Sequence, residues 1–251
     1  MVLFIASLTL HHDIRRLDMN NSVNEYLYFE NVTCPVCGNE FKVYVVRKSN
    51  MSVERYDTDG HAIYKNVSPL LYEVWCCSTC GYTACNGNFH KLSQKEVALV
   101  NTQIRPKWRS RSIPSLHNHE LAIDLYKLAL SNGLLIGSPT GDLSFICLKI
   151  AWLYRELGNK EMELAFLQKA LSGFTNVFTN GRGMLLSLSN EKSMYLLADL
   201  CARVGDYDKS LVWLNRVITA PLAPADLKDK SRDLRDRVKK DMIPEVPKKY
   251  A

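Results

Sequence analysis

Cys34-Pro-Val-Cys37-Gly38 and Cys77-Ser-Thr-Cys80-Gly81 decide how this chain is read. Each is a Cys-x-x-Cys turn followed by glycine. Such a turn holds two sulfurs at the separation a tetrahedral ion needs, with backbone amides directed at them, and the glycine lets it close tightly. Two turns supply four soft ligands, the set that zinc binds at about 2.3 Å. The stretch between them exceeds the usual zinc-ribbon spacing, but doubling a closed loop costs only about 0.6 kcal/mol. The implied site is one Zn2+ held by Cys34, Cys37, Cys77 and Cys80. With every position taken by thiolate the site is closed and structural, since catalytic zinc keeps a position for water.

The remaining cysteines read differently. Cys76 neighbours Cys77 on a predicted strand and so points to the opposite face, as a small buried hydrophobe. Cys85, a possible replacement ligand or redox partner, is read as buried too, and Cys147 and Cys201 lie among Ile and Ala on helical faces. His90 follows the second turn closely enough to stand behind the ligands. His117-Asn-His119 lacks a partner set and reads as solvated.

Outward from the turns the chain separates into zones. Residues 26–90 form the predicted zinc-ribbon-like module. Phe41, Val43 and Val45 alternate with Lys42, Tyr44 and Val46 as in a half-buried strand, Leu71 to Trp75 is a second β-rich run, and Asp57-Thr-Asp-Gly60 is a turn. Residues 91–119 are a capped helix and a basic linker. Ser93-Gln-Lys-Glu96 has the spacing of a capping box. Beyond it, Arg105, Lys107, Arg109 and Arg111 surround Trp108 with no acidic residue among them, so these five are candidate contacts for nucleic acid or an acidic partner.

Residues 120–241 carry helical periodicity. Ile146, Ile150, Tyr154 and Leu157 share a face, as do Leu164, Leu167 and Leu171. Gly158 and Gly205 each end a helix in left-handed backbone, and Asn159 and Asp206 then cap the next. Superposing the two glycines places Ala151 on Ala198, Leu164 on Leu211, Leu167 on Leu214 and Ala170 on Val217. The repeat unit is a helical hairpin, with a partial earlier copy ending at Leu130. Its pattern, clearest in Val204-Gly-Asp-Tyr-Asp-Lys-Ser-Leu211, resembles a degenerate tetratricopeptide repeat of lengthened period, the excess falling in residues 176–189. A last helix from about Pro224 to Asp241, with Leu227, Leu234 and Val238 on one stripe, has the form of a solenoid cap. Residues 1–25 stand apart as a poorly ordered or extra segment, and residues 242–251 as a frayed tail. The fold class expected is α+β, mostly α.

Composition narrows the function classes. Of 251 residues, 47% are hydrophobic and 23% charged, which excludes a disordered chain. The formal charge of +6 overstates basicity, because four thiolates and a divalent ion together contribute about −2. The run from Met1 to Leu10 has neither the basic start nor the small-residue cleavage site of a secretory signal, and it is too short to span a bilayer. The chain is expected in the cytoplasm, where thiols stay reduced, and Met19 is an alternative start. No phosphate-binding loop, Gly-x-Ser-x-Gly elbow, His-Glu-x-x-His or deaminase signature occurs, so a non-enzyme is expected.

Three stretches together, Cys34-Pro-Val-Cys37, Leu71-Tyr-Glu-Val-Trp75 leading into Cys77-Ser-Thr-Cys80-Gly-Tyr82, and Ala151-Trp-Leu-Tyr-Arg-Glu-Leu-Gly158-Asn159, resemble an uncharacterised bacterial family, domain of unknown function 2225. The resemblance runs from about Tyr26 to Ile218. It implies a bacterial cytoplasmic protein with an N-terminal cysteine-knuckle part and C-terminal tetratricopeptide-like helices, and no assigned activity. The expected role is a zinc-binding scaffold or adaptor that grips a protein partner on its helical surface. The alternatives are a nucleic-acid-binding zinc-ribbon protein, resting on the basic linker, and a zinc-thiolate redox sensor in which Cys76 or Cys85 reacts.

Overall fold

The structure is a computed structural model that describes residues 25–181, 185 and 188–242. The expectations for the start of the chain, for Met19 and for the tail beyond Met242 fall outside the described residues. Two compact units are present. The first takes in the described part of Met1–Arg55 with Ala62–Ile136, and the second Tyr56–His61 with the described part of Gly137–Ala251.

Two short antiparallel hairpins form the centre of the first unit. Strand β1 (Leu27–Thr33) pairs with β2 (Glu40–Val46) from Leu27↔Val46 to Thr33↔Glu40. Between them lies the first cysteine turn, closed by Cys34 N–H donating to the Asn39 carbonyl (2.9 Å) and Gly38 N–H to the Cys34 carbonyl (3.0 Å). A further strand pair is made by β3 (Val53–Tyr56) and β4 (Ala62–Tyr64). Strand β5 (Val74–Cys76) then pairs with β6 (Thr83–Cys85) around the second cysteine turn, which repeats the pattern: Cys77 N–H to the Tyr82 carbonyl and Gly81 N–H to the Cys77 carbonyl, both 2.9 Å. The expected strand over Leu71 to Trp75 is shorter than its sequence suggests. Pro69 opens a 3-10 turn through Tyr72 that buries Leu70 and Tyr72, and pairing starts only at Val74.

Val32, Val43, Tyr82, Phe89 and Val100 close over the turns as one core. Phe89 is its hub, meeting Phe41, Trp75 and Tyr82 ring to ring and accepting the Tyr82 hydroxyl at its carbonyl (3.2 Å). Helix α1 (Gln94–Gln103) starts with the expected capping box: Glu96 N–H reaches Ser93 Oγ, and the Glu96 carboxylate takes Ser93 N–H at 2.6 Å. Helix α2 (His119–Ile136) packs on β5 and β6. Its Asn132 accepts the Thr83 amide (3.2 Å), and its Tyr126 hydroxyl donates to Glu73 (3.1 Å). From residue 120 onward this helix is expected in the helical array, as a partial copy. The structure instead groups it with the β-rich unit, because its buried face of Leu125, Tyr126 and Ala129 covers strands.

The second unit is two helical hairpins and a closing helix. Helices α3 (Thr140–Glu156) and α4 (Lys160–Asn180) meet at Gly158, and α5 (Asn190–Arg203) and α6 (Tyr207–Thr219) meet at Gly205. Both glycines are left-handed, at φ +70° and +83°. The junctions are built alike. Gly158 N–H donates to the Arg155 carbonyl and Asn159 N–H to that of Tyr154; Gly205 and Asp206 do the same toward Ala202 and Cys201. Asn159 and Asp206 cap the following helices through Met162 and Lys209 N–H. The superposed pairs Ala151/Ala198, Leu167/Leu214 and Ala170/Val217 are all buried. Leu157 and Leu164, expected on the apolar faces, are 42% and 40% exposed; both flank the Gly158 turn, where less of a partner helix lies within reach. Helix α7 (Ala225–Asp241) lays Leu227, Leu234 and Val238 against Met194, Leu214 and Val217.

Candidate metal centre

Because each turn closes by the same two backbone bonds, each presents its two thiols in the same way, and the hairpins bring the four together. Among the described residues, Cys34, Cys37, Cys77 and Cys80 are the group of potential ligands that converges, with all four Sγ atoms within 4.8 Å of one another. Cys34 and Cys80 lie 3.6 Å apart, as do Cys37 and Cys77. Four sulfurs at about 2.3 Å from a common centre would stand about 3.8 Å apart, so the donor set fits a tetrahedral ion. Cys34, Cys77 and Cys80 are buried and Cys37 is half-buried.

Electrostatics point the same way. The Cys77 thiol is held far below its ordinary range, first by hydrogen bonds with Cys34 and Cys80 and further by the Thr79 and Cys80 amides. The same partnership pushes Cys34 and Cys80 up. A cation at the centre would favour the ionised form of Cys34 and Cys80 as well as Cys77.

Trp108 closes the outside of the second turn. Its indole N–H donates to the Ser78 carbonyl (2.8 Å), and its ring lies so close to Gly81 that a Cβ there would be 2.5 Å from Cδ2. Arg111 stacks its guanidinium 4.7 Å from the same ring. Arg105, Lys107, Arg109 and Arg111 are exposed around it. The structure therefore gives the tryptophan a packing role at the cysteine turn, while the four cations face solvent.

Cys76 is buried away from the cluster, its thiol 3.9 Å from the Cys77 carbonyl and pushed up by burial. Cys147 and Cys201 are buried, and burial raises Cys201 to about 11. Cys85 is half-buried. His90 packs edge-on to Trp75 and Phe89, outside the sulfur cluster. His117, expected to be solvated, stacks on Tyr72 at 4.7 Å with Nδ1 2.8 Å from the Leu71 carbonyl.

A second cluster, in the helical unit, was not singled out from sequence. Asp59 is fully buried as a side chain and bound by Arg155 Nη2 (2.7 Å) and the Trp152 indole N–H (2.9 Å), with Arg203 at 3.6 Å. Arg155 also grips Asp57 (2.9 Å) and Glu163 (2.6 Å), and Arg203 grips Asp199 (2.6 Å) and the Thr58 hydroxyl (2.9 Å). His61 stacks on Trp152 with rings 4.9 Å apart and nearly parallel, its Nε2 2.8 Å from Glu156. Burial would raise Asp59, but Arg155, Arg203 and Trp152 overcome it and hold the carboxyl below its usual range. Burial raises Asp199 against the pull of Arg203. The available signal was polar residues on faces that should be apolar: Arg155 in α3, and Asp199 with Arg203 one turn apart in α5.

These features define a class: a small β-rich unit with a four-cysteine centre in a chain that also carries a unit of helical hairpins. Residues 27–238 match the family model described as an uncharacterized protein conserved in bacteria (DUF2225), and the chain belongs to that family. No curated protein and no solved structure matches it.

Proposed function

We propose that the four cysteines hold one structural zinc ion in a zinc-ribbon-like module, and that the protein is a non-enzymatic adaptor whose tetratricopeptide-like hairpins offer a peptide-binding face. The convergence of four sulfurs within 4.8 Å carries the metal half. When bound, zinc supplies folding energy and nothing more, because a sulfur occupies each position that water or substrate would need. Cys34 and Cys37 contribute from one hairpin, Cys77 and Cys80 from the other, and Trp108 braces the second turn. Zinc rather than iron or copper is favoured by four thiolates in a cytoplasmic setting, where it is the common occupant of closed sites.

The hairpins carry the adaptor half. Stacked helix pairs bury their own faces and leave the first helix of each pair as a continuous surface for an extended chain. The exposed cations of residues 105–111 belong to the first unit and are a separate candidate contact for an acidic partner. No helix among the described residues is long and apolar enough to cross a membrane. Affinity purification of the tagged full chain from its native host tests the adaptor reading. A protein partner that survives nuclease treatment is expected; recovery of nucleic acid alone would overturn it.

A further inference from the structure

Between α3 and α5 the helical unit holds a cavity of about 430 Å³. Its walls are Phe145, Leu148 and Trp152 of α3 and Lys192, Tyr195 and Leu196 of α5, with Thr58–Gly60 at one end. Superposing Gly158 on Gly205 puts Phe145 on Lys192 and Leu148 on Tyr195, so two matching positions of the hairpins line it. That volume lies within the range of ordinary ligand pockets, about 300–1,000 Å³.

The end wall shows what this groove accepts. The turn Asp57–Gly60 is a piece of polypeptide seated against the same two helices, its Asp59 carboxylate held by Arg155 and Trp152 from α3 and by Arg203 from α5. Asp59 and Lys192 are the charged members of the lining among the described residues. Asp59 is already neutralised by its arginines. Lys192 is exposed. An apolar trough whose lining includes the exposed Lys192 fits an occupant that joins a bulky apolar side chain to a carboxylate.

Resting on the adaptor reading, we infer that this groove is the peptide-binding site, taking an extended segment with a large apolar residue beside Asp or Glu and prolonging the contact that the Asp57–Gly60 turn makes in cis. The apolar side chain fills the space between Phe145, Tyr195 and Leu196, and the acidic residue pairs with Lys192.

The test probes an array of synthetic twelve-residue peptides with the purified full chain. Bound peptides should be enriched in a bulky apolar residue within two positions of Asp or Glu. Leu196→Trp, which fills the cavity, should abolish that enrichment. Lys192→Glu, at an exposed position that folding tolerates, should shift the acidic-over-basic preference at least about tenfold, a change of about 1.4 kcal/mol. Thermal melts establish that each variant is folded, and if Leu196→Trp is not, Lys192→Glu alone decides. Enrichment unchanged by Lys192→Glu would overturn this site while leaving the adaptor reading intact. Retention of no peptide by any version would remove both.

Discussion

Alanine at Gly81 and at Gly38 should cost different amounts, although the two glycines hold equivalent places in their turns. Both are left-handed, at φ +79° and +71°. An L-residue in that backbone costs about 1–2 kcal/mol, which is the whole expectation for Gly38→Ala, because nothing lies within 4 Å of its added Cβ. At Gly81 the Cβ would meet Trp108 Cδ2 at 2.5 Å and Cε3 and Cγ at 2.7 Å. Real Cβ atoms do not approach so closely, so the indole must move. It cannot swing away while its N–H stays on the Ser78 carbonyl. Overpacking of this kind adds about 1–3 kcal/mol, giving about 2–5 kcal/mol in all. The assay is urea unfolding followed by alkylation of individual cysteines, read by mass spectrometry at Cys34, Cys77 and Cys80. A double-mutant cycle with Trp108→Ala should recover the added 1–3 kcal/mol as coupling, since the truncated side chain leaves room for the methyl group. Equal costs at Gly38 and Gly81, with no coupling to Trp108, would refute the bracing role given to the tryptophan.

Other expectations follow from the same packing. Arg155→Met leaves Asp59, Asp57 and Glu163 without their shared cation and should destabilise the helical unit by about 3–5 kcal/mol in urea titration. Arg155→Lys should recover little of this, because an ammonium cannot span the planar contacts to Asp59 and Glu163. The Asp59 carboxyl is held below its unfolded value, so its stabilisation is complete above about pH 3.9 and lost as pH falls through the folded value. Unfolding midpoints of Asp59→Asn should therefore fall less steeply than those of the natural chain below about pH 4, and parallel acid limbs would contradict this. Cys37→Ser should unfold the first unit, with circular dichroism losing the β-rich contribution; retained structure would count against a structural role for the cluster.

How much was legible depends on whether the information was local. The cysteine turns, the Ser93 capping box and the Gly158 and Gly205 junctions each fix their geometry within a few residues, so spacing and residue type sufficed. The place of helix 119–136 did not follow, because its periodicity is the same whether Tyr126 and Ala129 cover a helix or a strand pair. The ion cluster was hidden for a related reason. Asp57-Thr-Asp-Gly60 reads as a turn, and it forms one, with Gly60 N–H on the Asp57 carbonyl at 3.0 Å. Nothing within the turn announces that Asp59 is gripped by arginines almost a hundred positions away and farther. In sequence Trp108 stands among cations as a candidate partner contact, and its packing on Gly81 leaves no mark there, because the space it fills is that of a missing side chain.

Metal analysis of the full chain, purified under reducing conditions without added metal, bears most directly on the four-cysteine centre. One zinc per chain is expected, with X-ray absorption showing four sulfurs at about 2.3 Å. A chain that folds with no metal bound and its thiols free to react, or whose metal is ligated chiefly by nitrogen and oxygen, would contradict it.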